Sequence, residues 1–285
     1  LKIFSRLAGA LPVVVFLLLI QLWLPGPPAM AAPALLEELH YRLEVLTWQD
    51  AARVRLTLNR VGPEHFEAEI IGEAMGIFKS LSAGQRERLQ TEMVWRHHQL
   101  LPLIYREESL RRGKRRLKEY RFDYDKGQLA LWEWHAGKGL TKKWQTDLAT
   151  QVYDPLSAFY NIRLGIIKPN RAGETNAIPA IPYPRPGNME VRLATTPDSH
   201  LKAMVSLVNP LFQGSRGQIF AYVDYRLVPQ QIWTTISGIT IRGMLLPGGV
   251  IMPPGLAELT ASGSAAARRL PADDLPAATG AGESR

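Results

Sequence analysis

Residues 39–135 alternate apolar and polar side chains with a period of two, and that pattern commits this part of the chain to half-buried β-strands. Tyr41, Leu43 and Val45 share one face against Arg42 and Glu44. Val54, Leu56 and Leu58 oppose Arg53, Arg55, Thr57 and Asn59, and Phe66, Ala68 and Ile70 oppose Glu67 and Glu69. Turn residues separate these runs at Gln49-Asp50 and Val61-Gly62-Pro63-Glu64. The spacing predicts further strands at 86–97, 101–110, 116–124 and 128–135, broken at His98-Gln99, Arg112-Gly113-Lys114 and Asp125-Lys126-Gly127. Connections this short make neighbouring strands antiparallel. Met75 to Leu81 reads as one helix or a turn.

Beyond residue 139 the pattern changes. Trp144 and Leu148 are spaced for one helical turn. Asp154-Pro155 then opens a helix. The carboxylate caps free first-turn amides, and proline fits the first position, where no donor is needed. Leu156, Phe159, Tyr160 and Arg163 follow at helical spacing, with Gly165 as a stop. Residues 168–188 read as a Pro/Gly/Asn-rich loop. Strands resume at 189–195, 201–208, 218–226, 231–237 and 239–246. The expected fold is mainly β, with about a dozen strands and one or two short helices. An antiparallel sheet that long curls into a half-barrel or barrel-like form. The folded domain is expected over 32–251, followed by a disordered Pro/Ala/Gly-rich tail over 252–285.

Ahead of this domain stand Lys2 and Arg6, an apolar run from Leu11 to Leu24, a Pro/Gly break and the small residues Ala29-Met30-Ala31-Ala32. That order is a secretory signal over 1–31 with cleavage after Ala31, which implies a soluble periplasmic protein. The rival reading is an uncleaved anchor, for which the run falls short of the ~20 residues of a bilayer crossing.

The chain carries a net charge of +8 and no cysteine. Zero cysteine excludes disulfides, thiol nucleophiles and Cys-ligated metals. The positive charge is concentrated. Tyr105 to Arg121 holds eight cations (Arg106, Arg111, Arg112, Lys114, Arg115, Arg116, Lys118, Arg121) against Glu107, Glu108 and Glu119. As a hairpin turning at Arg112-Gly113-Lys114, it is either an anion-binding site for lipid or lipopolysaccharide phosphates or a solvated edge that blocks strand pairing. Nucleic acid is not the expected partner, since one basic hairpin without a nucleic-acid fold is no recognition module. The six histidines form no metal-binding motif, and no nucleophile elbow or phosphate loop is present. No catalytic residue, metal or cofactor is therefore assigned, and a non-catalytic role is favoured. Trp48, Trp95, Trp132, Trp134, Trp144 and Trp233 lie in or near strand regions, either as core packing or as walls of a ligand cavity.

Two stretches carry a resemblance. One runs Asp154-Pro155-Leu156-Ser157-Ala158-Phe159-Tyr160-Asn161-Ile162-Arg163, and the other closes on Asp224-Tyr225-Arg226-Leu227-Val228-Pro229. Together with the strands from about residue 39, they resemble the exported bacterial family catalogued as domain of unknown function 3108, over roughly 38–248. Tyr225 stands where the family pattern has a second acid. The resemblance implies an envelope protein with a curled sheet, similar in appearance to carriers of lipids and lipoproteins, and marks Asp154, Pro155, Tyr160, Arg163, Asp224, Arg226 and Pro229 as motif residues. Three roles follow as expectations. The first is a binder of an apolar or amphiphilic ligand, such as a lipid or lipoprotein, with peripheral membrane contact. The second is an assembly factor acting through its basic hairpin, and the third is an enzyme on envelope glycans or lipids.

Overall fold

The structure, a computed structural model, describes residues 32–256 apart from 82–83, 149, 168–172, 174, 182–185, 197–200, 207–216, 237 and 254. The expected signal segment 1–31 lies outside the described residues, as do residues 257–285 of the expected tail. The described chain runs β1 (Ala34–Val45), β2 (Trp48–Arg60), β3 (His65–Ala74), α1 (Gly76–Leu81), β4 (Arg86–Arg96), β5 (Gln99–Arg111), β6 (Lys114–Asp123), β7 (Gln128–His135) and β8 (Gly139–Asp147). It continues with α2 (Pro155–Arg163), β9 (Thr175–Ala180), β10 (Gly187–Thr195), β11 (Leu201–Ser206), β12 (Gln218–Val223), β13 (Pro229–Ile236) and β14 (Ile239–Ile251).

All fourteen strands belong to one antiparallel sheet, in the order β8-β7-β6-β5-β4-β3-β2-β1-β14-β13-β12-β11-β10-β9. The chain first builds one arm outward from β1 to β8. It then crosses to the far edge at β9 and returns to pair β14 with β1. The sheet is not closed, so β8 and β9 are its two edges.

The sheet curls around α2. Leu156, Tyr160 and Leu164 pack against Leu39, Leu58, Phe66 and Leu100 on the first arm. Ala158 packs in a second cluster that joins Val94 and Leu101 of that arm to Ile178 and Met189 at the far edge. The helix thus fills part of the trough and bridges its two walls. Burying a Leu or Phe fully in this way contributes about 2 kcal/mol.

Several boundaries differ from the sequence pattern, each for a local reason. Residues 139–147, where the Trp144/Leu148 spacing points to a helical turn, form β8. A bulge between Leu131 and Trp132 skips Lys143 in the pairing and breaks the alternation. Within the expected loop 168–188, Thr175–Ala180 form β9, and Pro179 is tolerated there because β9 is an edge. The strand expected to end at 246 runs on to Ile251 through a bulge at Pro247-Gly248-Gly249. Gly249 is required there, since an added Cβ would lie 2.9 Å from the His40 carbonyl oxygen. Met252 and Leu256, in the stretch expected to be tail, pack against the first core cluster.

Candidate functional site

The concave face leaves an apolar hollow of about 400 Å³ between α2 and the strands on either side of the β1–β14 seam. Leu43, Leu56 and Ile70 form one wall, Ile219, Ile232 and Trp233 the other, and Leu156 and Phe159 of α2 close one side. Gly243 sits in the floor with Leu43 and Ile232 on either side, and its missing side chain leaves room. The two hydroxyls in the lining are already committed. The Tyr41 hydroxyl donates to the Pro229 carbonyl at 3.0 Å, and the Thr234 hydroxyl donates to the Gln218 carbonyl at 2.8 Å. Tyr41 is the one titratable residue in the lining, and burial raises its phenol above the ordinary range. Such a wall suits an apolar guest. Of the six tryptophans singled out, Trp233 lines the hollow, while Trp95 and Trp144 pack against core clusters.

The motif residues surround this hollow as a scaffold. Asp154, fully buried, accepts from the Leu156 and Ser157 amides at 2.8 and 3.2 Å and from the Thr91 hydroxyl at 2.9 Å. Pro155 takes the first helical position, as expected. Burial raises the Asp154 carboxyl, and the hydrogen bonds from Ser157 and Thr91 oppose that shift. Asn161 accepts from the Leu100 amide at 3.0 Å and donates to the Leu100 and Ser157 carbonyls at 2.8 and 2.7 Å, stapling α2 to β5. Arg163 donates to the Glu37 carboxylate at 2.8 Å and to the Arg226 carbonyl. Asp224 accepts from the amides of Arg226 and Val228 at 2.9 and 2.8 Å, which shapes the corner that presents this carbonyl. Arg163 thereby ties α2 to β1 and to the β12–β13 corner at once. Tyr160 is buried in the core below, and burial, then the Glu37 carboxylate, push its phenol well up. Tyr225 is 85 % exposed, with the Arg226 guanidinium 5.5 Å from its ring centre.

Glu37, Thr91 and Asn161 were not marked by the sequence as site residues. The one signal for Glu37 is a pair of acids, Glu37-Glu38, at the start of an apolar run. A buried carboxylate there requires a buried cation, which only the fold supplies.

The basic hairpin is not an edge, because β5 and β6 lie between β4 and β7. The solvated-edge reading is corrected on that ground. The seven anion-binding candidates divide in two. Arg115 pairs with Glu108 at 2.5 Å, Lys118 with Glu107 at 3.5 Å and Arg121 with Glu119 at 2.6 Å. Glu119 also holds Arg106 at 2.7 Å, and the Arg121 guanidinium lies 4.7 Å above the Trp132 ring. Arg111, Arg112, Lys114 and Arg116 are exposed at the tip, with no carboxylate partner among the described residues. Arg112 and Gly113 turn the chain there at φ 51° and 70°. Among the described residues no group of three His, Asp or Glu is placed to hold a metal ion.

Fold and hollow together define an open, curled antiparallel sheet wrapped on one helix. The chain belongs to the family described as protein of unknown function (DUF3108), whose model matches residues 38–200. That span includes Asp154, Pro155, Tyr160 and Arg163, while Asp224, Arg226 and Pro229 fall beyond it. Among solved structures, the chain is similar to a beta-barrel-like protein of the domain of unknown function DUF1849 from Brucella abortus. The two share 10 % identity at a TM-score of 0.47, over 77 % of this chain and 98 % of that one. No curated protein matches.

Proposed function

We propose that this is an exported, non-catalytic envelope protein that acts in the periplasm after loss of residues 1–31. In this reading it holds an apolar or amphiphilic ligand, such as a lipid or the acyl chain of a lipoprotein, in the hollow beside α2. The observation that carries the reading is the hollow itself: about 400 Å³ of largely apolar space whose two lining hydroxyls are already hydrogen-bonded to backbone. Space of that size and character is ordinary for a small-molecule site and gains free energy by exchanging water for hydrocarbon. The N-terminal pattern of charge, apolar run and small residues supports export.

Native mass spectrometry of the protein purified from envelope extracts without detergent tests the proposal. A co-purifying lipid mass, released by organic solvent and restored by adding the lipid back, is expected. A chain that emerges empty and takes up neither lipid nor an apolar fluorescent probe would overturn it. N-terminal sequencing of the same material checks the processing, with Ala32 expected as the first residue.

A further inference from the structure

We infer that the turn-bearing end of the sheet, from the β13–β14 turn round to the β5–β6 turn, is a docking surface for an anionic phospholipid bilayer. The topology makes this end continuous. Strands β14, β1, β2, β3, β4, β5 and β6 are consecutive neighbours. Strict antiparallel order therefore sends the β13–β14, β1–β2 and β5–β6 turns, together with α1 between β3 and β4, to the same end. Two independent features collect there.

The first is apolar. Of the eight large hydrophobic residues that stand exposed among the described residues, six belong to this end: Leu46, Trp48, Met75, Ile77, Leu110 and Ile239. Leu46 is 72 % exposed and Ile77 51 % exposed. Trp48 is held in place edge-on to Phe78 of α1, at 5.7 Å between ring centres. Scattered single exposed hydrophobics are normal, whereas their collection on one end is not. Tryptophan among aliphatic side chains suits the headgroup boundary of a bilayer, where one side of the ring is wet and the other dry.

The second feature is charge. Arg111, Arg112, Lys114 and Arg116 occupy the β5–β6 tip with no carboxylate partner among the described residues, while Arg115, Lys118 and Arg121 on the same hairpin are neutralised by Glu108, Glu107 and Glu119. Lys118 and Arg121 lie back along β6, whereas the four uncompensated cations, with the paired Arg115 among them, lie at the end that carries the exposed apolar side chains. Apolar anchors beside free cations are complementary to a surface of hydrocarbon beneath anionic headgroups. A soluble polyanion would use the cations alone.

Flotation of the purified full chain with vesicles tests this. Binding is expected to vesicles of phosphatidylglycerol and phosphatidylethanolamine, to weaken severalfold between 50 and 500 mM salt, and to be far weaker on phosphatidylcholine alone. Combined charge reversal, Arg111→Glu, Arg112→Glu, Lys114→Glu and Arg116→Glu, should reduce affinity roughly a hundredfold. Leu46→Ser with Trp48→Ser should reduce it at least tenfold with the salt dependence retained. All six positions are exposed, and an unchanged thermal midpoint shows that each variant is folded. Equal binding to both vesicle types, or unchanged binding by either variant, overturns the proposal. So does binding to free polyphosphate that competes with vesicles and is insensitive to Leu46→Ser/Trp48→Ser. The docking surface shares no residue with the lining of the hollow. A chain whose hollow is blocked should still float, so failure of the ligand reading and failure of this one are distinguishable.

Discussion

Arg163 and Glu37 meet at 2.8 Å with 5 % and 0 % of their side chains exposed, across more than a hundred residues of intervening chain. Burial raises the Glu37 carboxyl, and the Arg163 guanidinium pulls it back. Breaking such a pair strands a charge out of water, whereas removing both partners does not. Arg163→Met should therefore cost about 3–5 kcal/mol, a large share of the ~5–15 kcal/mol that holds a domain together. The double variant Arg163→Met/Glu37→Leu should recover more than half of that loss. Urea denaturation of the two variants checks this, and a double variant no better than the single one would show that the pair is not the unit.

The Asn161 side chain makes three hydrogen bonds, two that join α2 to the Leu100 backbone of β5 and one back to the Ser157 carbonyl within α2, and its amide nitrogen donates two of the three. Asn161→Asp keeps the shape and the acceptor but turns the amide nitrogen into an oxygen that faces two carbonyls. A loss of about 2–4 kcal/mol is expected. Hydrogen exchange should localise the effect, with the α2 amides losing protection before those of β2 and β3.

Asp154 and Glu119 are both buried, and they titrate in opposite senses. Burial raises Asp154 despite its hydrogen bonds. Burial also pushes Glu119 up, but the hydrogen bonds from Arg106 and Arg121 outweigh it and hold the carboxyl below its usual range. A raised carboxyl adds stability below its unfolded value, and that stability is lost as pH rises through the folded one. A lowered carboxyl adds stability above its unfolded value, lost as pH falls through the folded one. The advantage of the native chain over Asp154→Asn should shrink as pH climbs from about 4. Its advantage over Glu119→Gln should shrink as pH drops below about 4. Unfolding curves between pH 3 and 7 give both slopes, and two slopes of the same sign would contradict the assignment.

Gly243 is the cheapest place to fill the hollow, because a Cβ there meets only side-chain atoms, the nearest being Leu43 Cδ2 at 3.3 Å. Gly243→Leu should cost about 1–3 kcal/mol in crowding yet leave the chain folded. Uptake of an apolar probe should fall at least tenfold. A folded variant that binds the probe as before would place the guest elsewhere.

The first arm of the sheet was legible because β1 to β7 have one wet and one dry face, so alternation registers along most of their length. The helix was legible from Asp154-Pro155, whose capping role is local. What escaped was non-local. Lys143, skipped in the pairing of β7 with β8, breaks the period in β8, and Pro179 disguises a strand that proline can join only at an edge. The hollow was foreseeable only as a consequence of curling. Its floor at Gly243 depends on β14 pairing with β1, strands separated by nearly the whole described chain. The hairpin charges were visible as a block, but their division into neutralised and free depended on which glutamates lay across the β5–β6 pair or two residues along the same strand.

An unclosed sheet has one further consequence. In a closed barrel the girth is set by strand number and stagger, and the lumen is as rigid as the hydrogen-bond ladder around it. Here β8 and β9 never meet, so no ladder encircles the interior. The cross-section of the hollow is set instead by how far α2 wedges the two walls apart. Guests of different girth then call for a change of curl, resisted where the Tyr153 backbone ties the start of α2 to β9 through Pro179 and Ile181.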